Sequence, residues 1–284
     1  MRIKMKVRKA IIPAAGRGTR LLPATKTQPK EMLPIYDTPV IQLVVEEAVK
    51  SGITEILIIT GENKHSLEKH FDITNTGNGK LEEFNKLLEK VDITFKRQSN
   101  PRGLGDAILR AKNFAHGEPC AILLGDDFYL KCEVPATKQL IDAYEKFGSS
   151  ATIVGVETLS KEKMTKKGMI VVKDGTTEVE SIIEKPDIDT IVSDLAISGR
   201  YIVAPEIFDK LENVTESVRG EIELTDGLAD LLKDNLKIHT HLIKGTRIDV
   251  GNPTEYLIAN LKYAMLDEAV KKEVIKVIKE ELDP

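Results

Sequence analysis

Residues 9–34 read KAIIPAAGRGTRLLPATKTQPKEMLP, and the reading of this stretch decides the fold class. It starts as a short apolar strand, Ala10-Ile11-Ile12. It runs into a loop of small residues, Ala14-Ala15-Gly16-Arg17-Gly18-Thr19-Arg20, and reaches Lys30 between Pro29 and Pro34. Small residues after a strand let backbone N–H groups approach a phosphate or a base with no side chain in the way. Arg20 and Lys30 add fixed positive charge beside that loop. A loop of close approach with two cations meets the needs of a nucleoside triphosphate. It is not a dinucleotide fingerprint, because Leu21 fills the position of the third glycine, and a Walker Gly-Lys-Ser/Thr is absent. A dinucleotide-dependent oxidoreductase is set aside on that ground. Pro23 disfavours a long helix directly behind the loop.

Working outward, short apolar runs alternate with helical patterns. Strands are predicted at Val7 to Pro13, Glu55 to Thr60, Ile93 to Arg97, Ala121 to Gly125 and Ala151 to Val156. Helices are predicted from Ile41 to Val49, Leu81 to Lys90, Asp106 to Phe114 and Ala136 to Phe147. This alternation implies βαβ units and an α/β fold: a Rossmann-like three-layer αβα arrangement around a mixed, mostly parallel sheet. Ligands of such sheets sit at the carboxyl ends of the strands, so the loops after Pro13, Arg97 and Gly125 are expected to face one site. In the second half, Gly168 to Lys173 and Glu178 to Glu184 alternate around Asp174-Gly175, a hairpin signal, and Leu195 to Val203 is a further strand. These are expected to add antiparallel strands that cover the site. One domain over 1–284 is expected, with a core at about 7–160, a second part at about 161–252 and a C-terminal helical segment at about 253–284. That segment carries a rough apolar stripe, Leu257, Leu261, Met265, Val270, Val274 and Ile278, which either packs on its own domain or meets another subunit.

Composition narrows the class of partner. The 284 residues carry a formal net charge of −4 and a pI near 5.9, which argues against nucleic acid as a partner. Cys120 and Cys132 are too few for a disulfide framework, so a reducing, cytoplasmic location is expected. No apolar run reaches about 18 residues, so no membrane span is expected. The start, MRIKMKVRK, is basic, but no apolar core of a signal peptide follows it.

Three further constellations carry chemistry. Gly125-Asp126-Asp127 follows the apolar run Ala121 to Leu124, where a carboxylate points into the ligand crevice and suits Mg²⁺; Asp249, in Arg247-Ile248-Asp249-Val250-Gly251-Asn252, is a candidate second ligand. Gln98 offers both a donor and an acceptor, which suits a uracil edge, and Gly103 in Pro101-Arg102-Gly103-Leu104-Gly105-Asp106 leaves room for a flat base. In Ile183-Glu184-Lys185-Pro186 a lysine is placed to meet a phosphate and a carboxylate to accept from sugar hydroxyls. The five histidines, His65, His70, His116, His239 and His241, have no metal spacing and no nucleophile motif beside them.

Taken together, the motifs GRGTRLLPATKTQPKEMLP, RGLGDA, LLGDD, IIEKP, DLAISGRY, GEIELTD and DVGN resemble the sugar-1-phosphate nucleotidylyltransferase family, from about Lys9 to about Tyr256, and TKTQPKEMLP resembles its uridylyl branch. The resemblance implies the nucleotide-diphospho-sugar transferase fold, with added antiparallel strands and a C-terminal helix. It implies transfer of UMP from UTP to glucose 1-phosphate, assisted by Mg²⁺, in a cytoplasmic homodimer or homotetramer without nucleic acid or membrane. Ala14, Ala15, Gly16, Gly18 and Thr19 would line the nucleotide, with Gln98 and Gly103 at the uracil. Arg20 and Lys30 would bind the triphosphate. Asp126 and Asp249 would hold the metal. Gly168, Glu184 and Asp194 would take the sugar and its phosphate, and Lys185 would grip that phosphate. Where the family carries tyrosine and asparagine this chain has Lys167 and Asp194, so dTTP or another sugar 1-phosphate, or a non-catalytic paralog, are the rival expectations.

Overall fold

Successive residues of a strand face opposite ways, and Ile11 and Ile12 show what that does here. In the computed structural model both are fully buried, but in different cores on the two faces of one sheet. The structure describes residues 5–74, 77–148, 151–216 and 220–282. The first four residues of the basic start and the last two of the C-terminal helical segment lie outside the described residues.

The chain opens with β1 (Lys9–Ala14), three 3-10 turns and a small hairpin of β2 (Pro34–Ile35) and β3 (Thr38–Pro39). There follow α1 (Val40–Lys50), β4 (Glu55–Thr60), α2 (His65–His70), α3 (Gly79–Leu88), β5 (Asp92–Arg97), α4 (Leu104–Leu109), α5 (Lys112–Ala115) and β6 (Cys120–Leu123). The middle holds β7 (Asp127–Leu130), α6 (Ala136–Phe147), β8 (Thr152–Thr158), α7 (Lys161–Met164), β9 (Gly168–Val172), β10 (Val179–Glu184) and β11 (Leu195–Val203). The chain then forms α8 (Ile207–Asn213), α9 (Leu224–Lys233), β12 (Ile238–Leu242), β13 (Thr246–Asp249), α10 (Pro253–Ala264) and α11 (Glu268–Leu282).

The main sheet runs β10-β9-β11-β6-β1-β4-β5, with β8 also on β11 and β12 beyond it. Strands β6, β1, β4 and β5 are mutually parallel, so their carboxyl ends open on one side. Strand β11 runs antiparallel to β6, β8 and β9 and ties the added hairpin β9–β10 into the same sheet. Helices α4, α5, α8 and α9 cover one face, packing Ala107, Ile108, Phe208 and Leu228 over Ile11 and Ile122. Helices α1 and α6 cover the other, packing Val44, Val45, Leu140 and Tyr144 over Ile12 and Ile58. The crevice has a local cause. Pro13 has no N–H to donate, and it lies beyond Ile11, the last residue of β1 in register with β6; from there β1 follows β4 alone.

Two helix expectations change in detail. The pattern from Asp106 to Phe114 becomes two short helices, because the Ala111 N–H donates to Ile108 O at 2.8 Å and tightens the chain into a turn. The C-terminal segment is two helices as well, since Asp267 caps a new one by accepting from the N–H groups of Ala269 (2.8 Å) and Val270 (3.2 Å). Helix α10 packs through Ala259, Tyr256 and Tyr263 rather than through Leu257, which is exposed, and α11 buries no side chain.

A two-stranded ribbon, β7 with β13, stands off the main sheet and packs Phe128, Leu130 and Ile248 into a small core shared with Ile35, Val40 of α1 and Ala259 of α10. Charge fixes it to the sheet. Arg200 of β11, fully buried, donates to Asp127 Oδ1 (2.5 Å) and to both carboxylate oxygens of Glu47 in α1 (3.0 and 2.9 Å). Asp127 Oδ2 in turn accepts from Arg247 Nε (3.0 Å) and Nη2 (2.5 Å). Gly199, at φ +76°, leaves the space for this: a Cβ there would lie 2.5 Å from Asp127 Oδ2. Arg200→Met leaves Asp127 with Arg247 alone and Glu47 with only the neutral donors of Thr137, so it is expected to cost about 3 kcal/mol in urea unfolding. A loss within about 0.5 kcal/mol, the range of ordinary surface changes, would show that the ribbon does not depend on this arginine.

Candidate active site

The loop after β1 is held from beneath by an ion pair the sequence did not announce. Lys64, in the turn after β4, donates to the Ala14 carbonyl and to both oxygens of Glu31 (2.9 and 2.7 Å). Lys64 and Glu31 are buried, with 6% and 1% of their surface exposed, so neither is free to serve a ligand. Their work is to seat Ala14 and the turn Lys30–Met32. Beside it Lys30 rises to Gly16, whose ideal Cβ would lie 3.6 Å from Lys30 Nζ. Gly18 takes φ +65° and heads the next turn, where a Cβ would press on Lys30 and Thr25.

Ala15, Gly16, Thr19, Arg20, Lys30, Gln98, Gly103 and Asp126, from the loops after β1, β5 and β6, line one cavity of about 630 Å³. Ala14 lies buried behind it with its carbonyl on Lys64. Gln98 donates its amide nitrogen to Asp106 Oδ2 at 2.6 Å, which fixes the amide's orientation and leaves its carbonyl oxygen as the acceptor. Asp106 is itself fully buried and held by Arg102 (2.8 Å) and Arg110 (3.0 Å). Gly103 has a second reason to be glycine: at φ +107°, a Cβ would meet the Ile222 carbonyl at 2.6 Å, where the backbones of the two segments cross-bond.

A smaller cavity of about 130 Å³ adjoins it, sharing Leu104, Leu124 and Glu223. Gly168, Glu184, Lys167 and Arg247 line this second space. Glu184 Oε2 accepts from the Thr225 hydroxyl at 3.2 Å, and a Cβ on Gly168 would meet Ile197 at 2.7 Å. Lys185 takes a left-handed φ of +46°, and its Nζ lies 3.5 Å from Glu184 Oε1. Asp194 is not brought here: it is exposed at the start of β11, its carbonyl accepting from Leu159 N–H at 2.9 Å.

Two carboxylates converge beside these cavities: Asp126 lines the larger, and Asp249, which lines neither, reaches Lys167 in the wall of the smaller. The Val250 N–H donates to the Asp126 carbonyl at 3.3 Å, which sets Asp249 close by. Asp126 pairs with Lys30, and Asp249 Oδ2 with Lys167 Nζ at 2.8 Å. Burial opposes the charged form of Asp126, but Lys30 outweighs it and lowers the carboxyl below its usual range. Burial opposes Asp249 likewise; Lys167 and Arg247 outweigh it and bring Asp249 down to about 2. Burial also disfavours the Lys30 ammonium, yet Asp126 and Glu31 more than compensate, so Lys30 stays cationic at neutral pH. Arg20 lies against Gly251, next to Asp249. The donor set fits a hard divalent ion: two ionised carboxylates, with phosphate oxygens and water to complete the shell. Among the described residues no group of three acidic, histidine or cysteine side chains gathers to hold a metal.

None of the five histidines lines either cavity. His70 stacks on Phe84 with ring centroids 5.4 Å apart, and His239 on Phe147 at 3.8 Å. Cys120 is buried, its thiol pushed up to about 12.

The sheet, its crevice and the paired carboxylates at the strand ends define a nucleotidyl transferase, and the chain belongs to that family: the nucleotidyl transferase family model matches residues 9–265. Within it, the chain is 44% identical to the UTP–glucose-1-phosphate uridylyltransferase of Staphylococcus haemolyticus, over 96% of this chain and 98% of that one. It is 44% identical to the enzyme of the same name from Bacillus subtilis, over 95% of each. A crystal structure of UDP-glucose pyrophosphorylase complexed with UDP-glucose superposes with a TM-score of 0.86 at 37% identity, covering 92% of this chain and all of that one. Among the described residues, no helix is long and apolar enough to cross a membrane.

One carboxyl in the shared wall is unusual. Glu223 is mostly buried, its Oε1 has no hydrogen-bond partner, and burial together with nearby Glu184 raises its pKa to about 7. The folded chain therefore keeps this proton where the unfolded chain, with the usual value of 4.5, has lost it. The stability Glu223 contributes is full below the unfolded value and is lost as pH rises through about 7. Glu223→Gln cannot ionise, so its melting temperature relative to the parent is expected to climb between about pH 5 and pH 7 and then level off. A constant difference across that range would show that Glu223 ionises normally.

Proposed function

We propose that this chain transfers UMP from UTP to α-D-glucose 1-phosphate, giving UDP-glucose and pyrophosphate. One observation carries the reading: two adjoining cavities are bridged by a pair of ionised carboxylates, Asp126 in the wall of the larger beside Lys30 and Arg20, and Asp249 paired with Lys167 of the smaller. The names of the relatives and the UDP-glucose in the superposed crystal structure support this choice of substrates.

In this reading Gln98 accepts from the uracil imide N–H through its carbonyl oxygen, since its nitrogen is committed to Asp106. Cytosine presents an acceptor at that ring position and is disfavoured. Gly16 and its neighbours let backbone approach the phosphates, and Arg20 and Lys30 take their charge. Glu184 accepts from sugar hydroxyls, with Gly168 leaving room for the ring, and Lys185 takes the sugar phosphate. Asp194 sits outside this arrangement.

A phosphate oxygen of the sugar substrate attacks the α-phosphorus of UTP in line. The new O–P bond forms as the bridging bond to the β-phosphate breaks, and that electron pair leaves on pyrophosphate. The second pKa of a phosphate monoester is about 6, so the nucleophile is already mostly dianionic at neutral pH and needs no general base. This accords with histidines placed away from both cavities. What must be overcome is the repulsion of two polyanions. Mg²⁺, held by Asp126 and Asp249, would supply charge neutralisation at the reacting phosphates. Lys30 leaves Asp126 for the triphosphate, and Arg20 stays beside the site from Gly251. The chain associates with further copies of itself, a reading supported by α11, which exposes Val277 and Leu282 and buries nothing.

The deciding assay is pyrophosphate release with Mg²⁺, UTP and glucose 1-phosphate, with EDTA, dTTP, CTP and galactose 1-phosphate as parallel arms. Release that needs the metal and prefers UTP with glucose 1-phosphate is expected; no release with any pair would overturn the reading in favour of a non-catalytic paralog. Lys30→Ala removes a preorganised cation and is expected to lower kcat about 10²–10³-fold. A full-rate variant would take Lys30 out of this role.

A further inference from the structure

Asp249 has two oxygens in different situations. Oδ1 accepts from the Gly251 N–H at 2.8 Å and is spent on shaping the turn. Oδ2 faces Lys167 Nζ at 2.8 Å and, less closely, Arg247 Nη2 at 3.5 Å. Arg247 is already committed to Asp127 through two bonds, so Lys167 is the movable partner. Its backbone is fixed: the N–H donates to Met164 O at 2.9 Å and the carbonyl accepts from Lys185 N–H at 3.0 Å. Its side chain is a four-carbon stem with a compact charge, one-quarter exposed, along the wall of the smaller cavity. Lys167 lines the smaller cavity, and Lys185, which does not line it, is tied to Lys167 through the backbone just past the neighbouring strand.

We propose that Lys167 is a displaceable guard of the metal carboxylate. It holds Asp249 Oδ2 while no divalent ion is bound, and turns its ammonium to the phosphate of the sugar substrate once the ion takes that oxygen. The inference rests on the reading of the reaction given above. Its physical basis is that an ammonium and a divalent cation repel each other when they compete for one carboxylate oxygen, and the displaced ammonium is drawn to the nearest anion. Filling the metal position then prepares the phosphate position, and linkage makes that coupling mutual.

The experiment uses the full chain and Mn²⁺ as a probe read by electron paramagnetic resonance, without substrates. Lys167→Met removes the competitor and is expected to tighten Mn²⁺ binding about tenfold, a coupling of ordinary size, while Lys163→Met, the same loss of charge at an exposed lysine outside the cavity, changes it by less than about twofold. In steady state, Lys167→Met is expected to raise KM for glucose 1-phosphate about tenfold and leave KM for UTP within about twofold, and Lys167→Arg is expected to recover most of that loss. Mn²⁺ affinity unchanged by Lys167→Met, or changed equally by Lys163→Met, overturns the guard. A rise in KM for UTP instead of the sugar phosphate overturns the second half. The Mn²⁺ measurement needs no turnover: a parent chain that releases no pyrophosphate defeats the proposed reaction, and Mn²⁺ binding still judges the guard separately.

Discussion

Asp127 between two arginines is the constraint on which the site depends. A guanidinium stays charged at any working pH, and a carboxylate clamped by two of them is buried as an ion. From it the chain of charges runs to Glu47 of α1 through Arg200, and to Asp249 and Glu157 through Arg247. Removing so many charges from water is costly, and apolar packing of the same volume would serve stability at least as well. What the charges add is direction. They fix a short ribbon, which has little core of its own, at one angle to the sheet, and so place Asp126 and Asp249 at one point.

The chemistry asked of that point is electrostatic. In the proposed transfer no acid or base has to be tuned, because a sugar phosphate arrives ionised and pyrophosphate leaves as an anion. The protein accordingly spends its polar groups on charge placement. Each carboxylate proposed to hold the metal is matched with a lysine, so the site is neither a bare anionic cleft nor a bare cationic one. Substrates and metal exchange partners with groups already in place, which limits the reorganisation needed at the reacting phosphate.

Much of this was legible in the residues. Leu195–Val203, Glu55–Thr60 and Ala136–Phe147 stand where periodicity puts them, because a buried strand or an amphipathic helix is written in neighbouring side chains. The glycines and alanines after β1, and the acid after β6, mark the crevice by type and position. The single helices expected over Asp106–Phe114 and from Pro253 onward were split by a tightened turn at Ala111 and a cap at Asp267, local hydrogen bonds that apolar spacing does not report. Lys64 and Glu31, 33 positions apart, gave no signal at all, since each alone reads as a surface charge. Arg200 lay inside a recognised motif, yet its partners Glu47 and Asp127 come from elements 153 and 73 positions away.

The sequence by itself determined the alternation of strands and helices, the loop that can approach a phosphate, and the supply of carboxylates and cations for a nucleotidyl transfer. Those are local properties: a side chain's size, polarity and spacing are set by its own stretch of chain. Only the tertiary structure decided which charge meets which. It assigned Lys64 to Glu31 and Lys30 to Asp126, set Lys167 on Asp249, turned Gln98 by way of Asp106, and left Asp194 outside the cavity. The reason is that an ion pair depends on a few ångströms between groups far apart in the chain, and that distance exists only once the sheet has brought its strand ends together.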